Sequence, residues 1–330
     1  MAAAGLAPDA VDDVVLGNAL GAGGNPARRV ALAAGLPERV AGLTLDRQCC
    51  GGLDALVVGA ALIAAGQAEV IAAGVVESYT RRPLRLRTDP DGGAPVAYER
   101  PPFTPWPDRD PEMDDAAEAL AIASGVPRAV QDDWAIESHR KARAADMSAE
   151  LVPFAGWDRD AFTRNLTPKL AARAPRLSGS ITAANAAVAA DGAAVCLLVS
   201  DRVAAQLPDP GLAYRGGVTL GAEPDLPGLA PVAAIHALLD RTGTAARDLA
   251  VAEVMEAYAV QAIACVHGAG LDPTIVNPGG GGLARGHPVG VSGTINAVRL
   301  FHELKQRGGT GLAAIAAAGG LGTAVMFSVS

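Results

Sequence analysis

The 330-residue sequence predicts an α/β protein built from two similar halves, and three observations carry that expectation. Two widely separated segments share one layout of strand, glycine-rich turn, apolar helix and strand. Runs such as Ile71–Val76 and Val195–Val199 are apolar without alternation, as in strands covered on both faces. The length suits about two domains, each with an ordinary core.

In the first segment, a strand Ala41–Leu45 leads through Asp46-Arg-Gln-Cys49-Cys50-Gly51-Gly52 into a helix Leu53–Gln67 and a strand Ala68–Ala73. In the second, a strand Pro273–Val276 leads through Asn277-Pro-Gly-Gly-Gly-Gly-Leu-Ala-Arg-Gly286-His287-Pro288-Val-Gly290 into a helix Ser292–Gln306 and a strand Gly311–Ala317. Both helices are small or apolar almost all round and should lie between layers. The apolar run Gly311–Val329 is long enough to suggest a membrane span. Its Ala318-Gly-Gly-Leu-Gly322 centre reads instead as a tight turn between two buried strands. Between Arg81 and Glu112 the composition shifts to Pro, Arg, Asp and aromatic residues around Pro101-Pro-Phe-Thr-Pro-Trp-Pro107, which marks an irregular excursion. Helices Asp114–Ala123 and Arg128–Ala145 follow it.

The two turns carry the chemistry. A thiol where a strand enters a helix meets unpaired N–H groups and the positive end of the dipole, which favour thiolate. Of the five histidines, His139, His236, His267 and His302 lie in helical patterns, and His287 alone lies in a Gly-rich loop. A nucleophile and a base of this kind form the generic pair for acyl transfer.

Composition narrows the classes. A net charge of −8 argues against a nucleic-acid footprint. Four cysteines without a CxxC pair or metal-type histidine spacing fit a reduced, cytoplasmic setting better than a disulfide framework or a metal site. No charged stretch precedes an apolar signal core, and no dinucleotide or P-loop fingerprint implies a cofactor.

Cys49-Cys50-Gly51-Gly52-Leu53 and Gly286-His-Pro-Val-Gly-Val-Ser292-Gly293 together resemble the loops of the thiolase superfamily. Further landmarks follow in the family's order: Asn25-Pro-Ala-Arg28, Ala73-Gly-Val-Val-Glu-Ser78, Thr182-Ala-Ala-Asn185, Asp191-Gly-Ala-Ala194, Glu256-Ala-Tyr-Ala259 and Ala318-Gly-Gly-Leu-Gly322. The resemblance implies a layered α/β/α/β/α fold. Its first half would be residues 1–80 with 178–202, its covering region 81–177, shortened here, and its second half 203–330. It also implies Cys49 as the acylated nucleophile, His287 as its base, and the backbone amides of Cys49 and Ala318 as an oxyanion hole. Met113, Gly286 and Ser292 would touch substrate, an acyl-CoA or carrier-protein thioester, in a homodimer or a hetero-oligomer with a related subunit. Family members begin with a strand and helix before the segment resembling Gly5–Gly17, and that strand is normally central in the first sheet; either the sheet is rebuilt around its absence, a partner fills the gap, or the true start lies upstream.

Two positions depart from that pattern. Ala316 stands where the family's second cysteine removes an α-proton, and Met255 stands where an asparagine fixes a water for the acceptor enolate. Neither side chain can serve, since alanine carries no proton and a thioether donates nothing. The expected activity is acyl transfer through acyl-Cys49 to a second substrate that needs no second cysteine. A catalytically degenerate partner subunit is the first alternative, and an ordinary acetyl-CoA C-acetyltransferase is the second.

Overall fold

The structure is a computed structural model that describes residues 4–21, 23–209 and 211–329. In chain order the first half contains β1 (Asp13–Gly17), α1 (Pro26–Ala33), β2 (Leu43–Leu45), α2 (Gly51–Ala64) and β3 (Val70–Glu77). An excursion follows, with β4 (Arg85–Arg87), β5 (Val96–Tyr98), α3 (Met113–Ser124), α4 (Arg128–Ala144), α5 (Pro168–Ala172), β6 (Arg176–Ser178) and β7 (Ile181–Thr182). The chain returns through β8 (Gly192–Val199) and α6 (Asp201–Ala204). The second half contains β9 (Ala213–Gly221), α7 (Ala230–Thr242), β10 (Val251–Val254), α8 (Ala259–Gly268), α9 (Gly282–Arg285), α10 (Val291–Arg307), β11 (Thr310–Ala317) and β12 (Leu321–Ser328).

The first sheet runs β2-β1-β3-β8 and the second β10-β11-β12-β9. In the first, β1, β2 and β3 are parallel and β8 is antiparallel to β3. In the second, β10 is parallel to β11, and β12 is antiparallel to both β11 and β9. Alternation along each strand sorts the core into layers. Val15, Ile71 and Ala73 of the first sheet and Val251, Ala313, Ile315 and Val325 of the second face a shared centre filled by α2 and α10. The opposite faces are covered by α1, through Ala27 and Ala31, and by α7 and α8, through Ile235, Leu238 and Val266. The result is the α/β/α/β/α stack. The run from Gly311 onward is a buried hairpin, as its Gly punctuation indicated.

Three expectations need correction. Residues 273–276 form no strand: Pro273–Ile275 is a 3₁₀ turn capped by Asp272, and Val276 makes one isolated bridge to Ala252. Asn277, at φ 45°, accepts from the Val254 N–H and donates to the Val254 carbonyl through its side-chain amide, doing the work of a strand backbone. The excursion holds regular structure in the β4–β5 hairpin. Of the alternatives for the first sheet, the rebuilt one is found: β1 pairs directly with both β2 and β3. Finally, β8 is covered on one face only, with Val195 49 % exposed.

Candidate active site

Both turns are held in costly backbone geometry. Gln48, at φ 50°, immediately precedes Cys49, which lies in a 3₁₀ turn (Gln48–Cys50) opening directly into α2. Val289, at φ 47°, follows His287 by two residues. A left-handed β-branched residue is uncommon, and such strain gathers at functional sites. The His287 amide donates to the Val188 carbonyl at 2.7 Å, fixing the loop against the returning chain.

Glycine brings the turns together. A Cβ on Gly52 would collide with the Gly290 carbonyl and with Thr294, and one on Gly293 would press on Leu53. The first turns of α2 and α10 therefore cross with almost no side chain between them. That crossing leaves Cys49 Sγ 3.4 Å from His287 Nε2. The other ring nitrogen, Nδ1, lies 2.7 Å from Ser292 Oγ. With Ser292 accepting from Nδ1–H, Nε2 is free to accept from the thiol.

Electrostatics reverse one expectation from the sequence. Burial pushes the Cys49 thiol up to about 12; its own backbone amide opposes this, while the Glu77 and Asp46 carboxylates add to it. Burial also lowers His287 to about 4. Desolvation thus outweighs the helix N-terminus, and the resting pair is a neutral thiol beside a neutral imidazole. Glu77 is itself raised by burial, although it accepts from the amides of Ala19 and Leu20.

The remaining sequence-selected residues are placed as follows. Cys50 is buried and points away, with Sγ 3.6 Å from the Ile315 carbonyl. Ala318 is the first residue of the turn joining β11 to β12, and no loop or turn carbonyl among the described residues accepts from its amide or from that of Cys49. Ala316 lies on β11 opposite Gly322. Met255 is 2 % exposed, packed with Cys50, Leu53 and Ile315 and directed at Gly282. Met113 opens α3 and is half-buried. Gly286, at φ 95°, leaves no room for a Cβ beside Phe162. The excursion reaches the other turn as well, where the Phe103 carbonyl closes on Gly319.

Two residues of the Glu256–Ala259 motif, bonded to helices outside the motifs, complete the site. Glu256 is buried and accepts from Trp134 Nε1 (3.0 Å), Ser138 Oγ (2.6 Å), Asn277 Nδ2 (2.9 Å) and the Leu283 amide (3.3 Å). This carboxylate ties α4 to the histidine loop. Tyr258 Oη donates to Asp114 Oδ1 at 2.6 Å. Trp134, Ser138 and Asp114 come from α3 and α4, more than a hundred residues away, and no local sequence pattern connects them to this motif. No His, Cys, Asp and Glu cluster suited to a metal ion occurs among the described residues, and no helix there is long and apolar enough to cross a membrane.

Comparison with known proteins agrees with this geometry. Residues 1–202 match the thiolase N-terminal domain and residues 211–329 the thiolase C-terminal domain. The chain is similar to the putative acetyl-CoA C-acetyltransferase VraB of Staphylococcus aureus (strain MRSA252), with 36 % identity over 96 % of this chain and 87 % of the relative. It is 38 % identical to the putative acetyl-CoA C-acetyltransferase YhfS of Bacillus subtilis (strain 168), over 97 % and 88 %. Among solved structures, the Bacillus anthracis acetyl-CoA acetyltransferase superposes with a TM-score of 0.89 at 31 % identity, covering 99 % of this chain and 89 % of that one. The Acat5 thiolase of Ascaris suum in complex with coenzyme A gives 0.89 at 30 % identity, covering 98 % and 89 %. The chain belongs to the thiolase family and is an acyltransferase of the thiolase type.

Proposed function

We propose that this protein takes an acyl group from a coenzyme A thioester onto Cys49 and passes it to a second substrate without the help of a second cysteine. The observation that carries this is the 3.4 Å approach of Cys49 Sγ to His287 Nε2; the family resemblance supplies the acceptor positions, which in this chain are Ala316 and a core-packed Met255. As Cys49 attacks the thioester carbonyl, its proton passes to His287 Nε2 and a C–S bond forms. The tetrahedral oxyanion rests on the Cys49 and Ala318 amides, where one donor is worth about 2.7–4 kcal/mol. Collapse breaks the bond to coenzyme A, whose thiolate takes the proton back from His287. Ser292 keeps the imidazole in the tautomer this requires. The coenzyme in the Ascaris suum relative supports the donor class.

The second half-reaction suits an acceptor that arrives already activated, by decarboxylation, or that attacks through an amine, hydroxyl or thiol. The names of the two bacterial relatives favour an ordinary acetyl-CoA C-acetyltransferase instead. The two readings part on one assay: acetoacetyl-CoA formation and thiolysis by wild type and by the double variant Ala316→Cys/Met255→Asn. Our reading expects negligible wild-type turnover and a measurable gain in the variant. Wild-type turnover of about 1–10³ s⁻¹, the ordinary enzyme range, would overturn it. Intact-mass detection of acyl-Cys49 with a panel of acyl-CoAs separates both from a degenerate subunit.

A further inference from the structure

The segment Arg81–Arg87 holds four arginines in seven residues with no acid among them, in a chain whose net charge is −8. Between residues 81 and 112 the ion pairs among the described residues are made by Arg100, with Asp110 and Glu112, and by Arg109, with Asp225 and Glu223. Arg81, Arg82, Arg85 and Arg87 form no ion pair among the described residues: Arg82 stacks on Tyr79 and bonds its carbonyl, Arg85 bonds the Ala19 carbonyl, and Arg87 lies over Tyr98. With Arg100 paired to Asp110, residues 81–99 carry four arginines against the three carboxylates of Asp89, Asp91 and Glu99. Beside these arginines stand Leu84, 91 % exposed, Leu86, 58 %, and Val96, 64 %.

The hairpin also sits where a ligand must approach. Cys49 follows the C-terminal end of β2, Asn18 that of β1 and Glu77 that of β3, and ligands of parallel sheets bind beyond those ends. Arg85 holds Ala19 there, whose amide donates to Glu77. Arg82 holds Tyr79, a phenol whose ionisation burial opposes.

We propose that the β4–β5 hairpin, with Arg81 and Arg82, is a docking surface for an acidic carrier protein that presents the acyl thioester to Cys49 on a flexible arm. Phosphates alone would account for the arginines but not for three apolar side chains exposed among them; an acidic protein surface with an apolar centre accounts for both. On a negatively charged molecule, one unpaired basic patch also sets the orientation of an acidic partner. This proposal rests on the acyl-Cys49 reading and adds the donor's carrier to it.

The test compares acetyl-CoA with a bacterial acyl carrier protein bearing an acetyl group, for wild type and for Arg81→Glu/Leu84→Ser/Arg87→Glu. This variant spares Arg82 and Arg85, which touch the site's own loops. The expected result is at least a tenfold loss of acylation kcat/KM with the carrier-bound donor and less than a twofold change with acetyl-CoA. Raising salt from 50 to 200 mM should weaken only the carrier reaction in wild type. An equal loss with both donors, a wild type that uses acetyl-CoA but never the carrier, a changed sedimentation coefficient, or tighter wild-type binding to anionic vesicles than to the carrier would each overturn the proposal. If neither donor labels Cys49, the acylation reading fails by itself. Fluorescence anisotropy of labelled carrier protein, lost in the variant or never present, then still decides the docking surface.

Discussion

The two halves use one layout to deliver two different groups, and they hold those groups in different ways. In the first half Cys49, the proposed nucleophile, sits between β2 and α2, and its position follows from the chain itself: one left-handed residue, a 3₁₀ turn and the first residue of the helix. In the second half a longer loop separates Asn277 from α10, and side chains from elsewhere hold it. Glu256 gathers Trp134, Ser138 and Asn277, and the Lys141 ammonium bonds the Val276 carbonyl at 2.9 Å. The cysteine is therefore placed by local backbone, while the histidine depends on distant packing. Substitutions outside the turns should damage the base before they damage the nucleophile.

The largest effect tests the division of labour itself. Cys49→Ala should abolish acyl-enzyme formation, with a loss of at least about 10³-fold in transfer, as when a nucleophile is removed from a unit that acts together. Cys50→Ala should leave a labelled Cys49 peptide after stoichiometric iodoacetamide. Label found on Cys50 in wild type would reverse the assignment.

Removing the proposed base, His287, comes next. His287→Ala should fold and lose about 10²–10⁴-fold in acylation, the usual span for acid–base catalysis. Because Cys49 is held near 12 and His287 near 4, alkylation of wild-type Cys49 should not level off above pH 8.5 as that of a free thiol does. It should stay slow and climb about tenfold per pH unit from pH 6 to 9, since only the thiolate reacts. A sigmoid in that window would mean that the thiolate forms before substrate binds.

How far the sequence disclosed this arrangement depended on the range of each interaction. The strands β3, β11 and β12 were legible because continuous apolar runs bounded by glycine are a local signal, and the two catalytic turns were legible as motifs. The Pro273–Val276 segment misled because the Asn277 side chain replaces a ladder that apolar periodicity alone would predict. The charge state of Cys49 misled for a related reason: the helix N-terminus can be read from sequence, but the depth of burial that outweighs it cannot. Glu256, visible only as part of a motif, gained its role from Trp134 and Ser138, which no local pattern connects to it.

That dependence yields a smaller but sharper test. Glu256→Gln replaces a fully bonded carboxylate by an amide that must present N–H groups to at least one donor. Hydrogen bonds to a charged group are worth about 1.5–3 kcal/mol, so a lower Tm is expected. Displacement of the histidine loop should cost acylation about tenfold, within the penalty for small misplacements. The comparison of halves requires that iodoacetamide alkylation of Cys49 change less than acylation does; equal losses in both would show that the network holds the whole site.

The smallest effect concerns the layer between the halves. Glu253 of β10 is fully buried, neither carboxylate oxygen finds a hydrogen-bond partner, and burial raises it to about 8 even with Arg285 and Arg299 nearby. The folded state therefore keeps a proton that the unfolded chain releases near the ordinary glutamate value of about 4.3. Its contribution to stability is fully present below that pH and is lost as pH rises through about 8. Glu253→Gln, neutral at every pH, should be close to wild type at pH 4.5 and melt higher at pH 8.5, by at least about 2 °C on the scale of a 1 kcal/mol change in a large domain. Catalysis should be unaffected, since Cys49 and His287 take no hydrogen bond from it. A melting difference that is constant with pH would mean that Glu253 is ionised in the folded protein and paired with the arginines, and that the centre between the two halves carries charge.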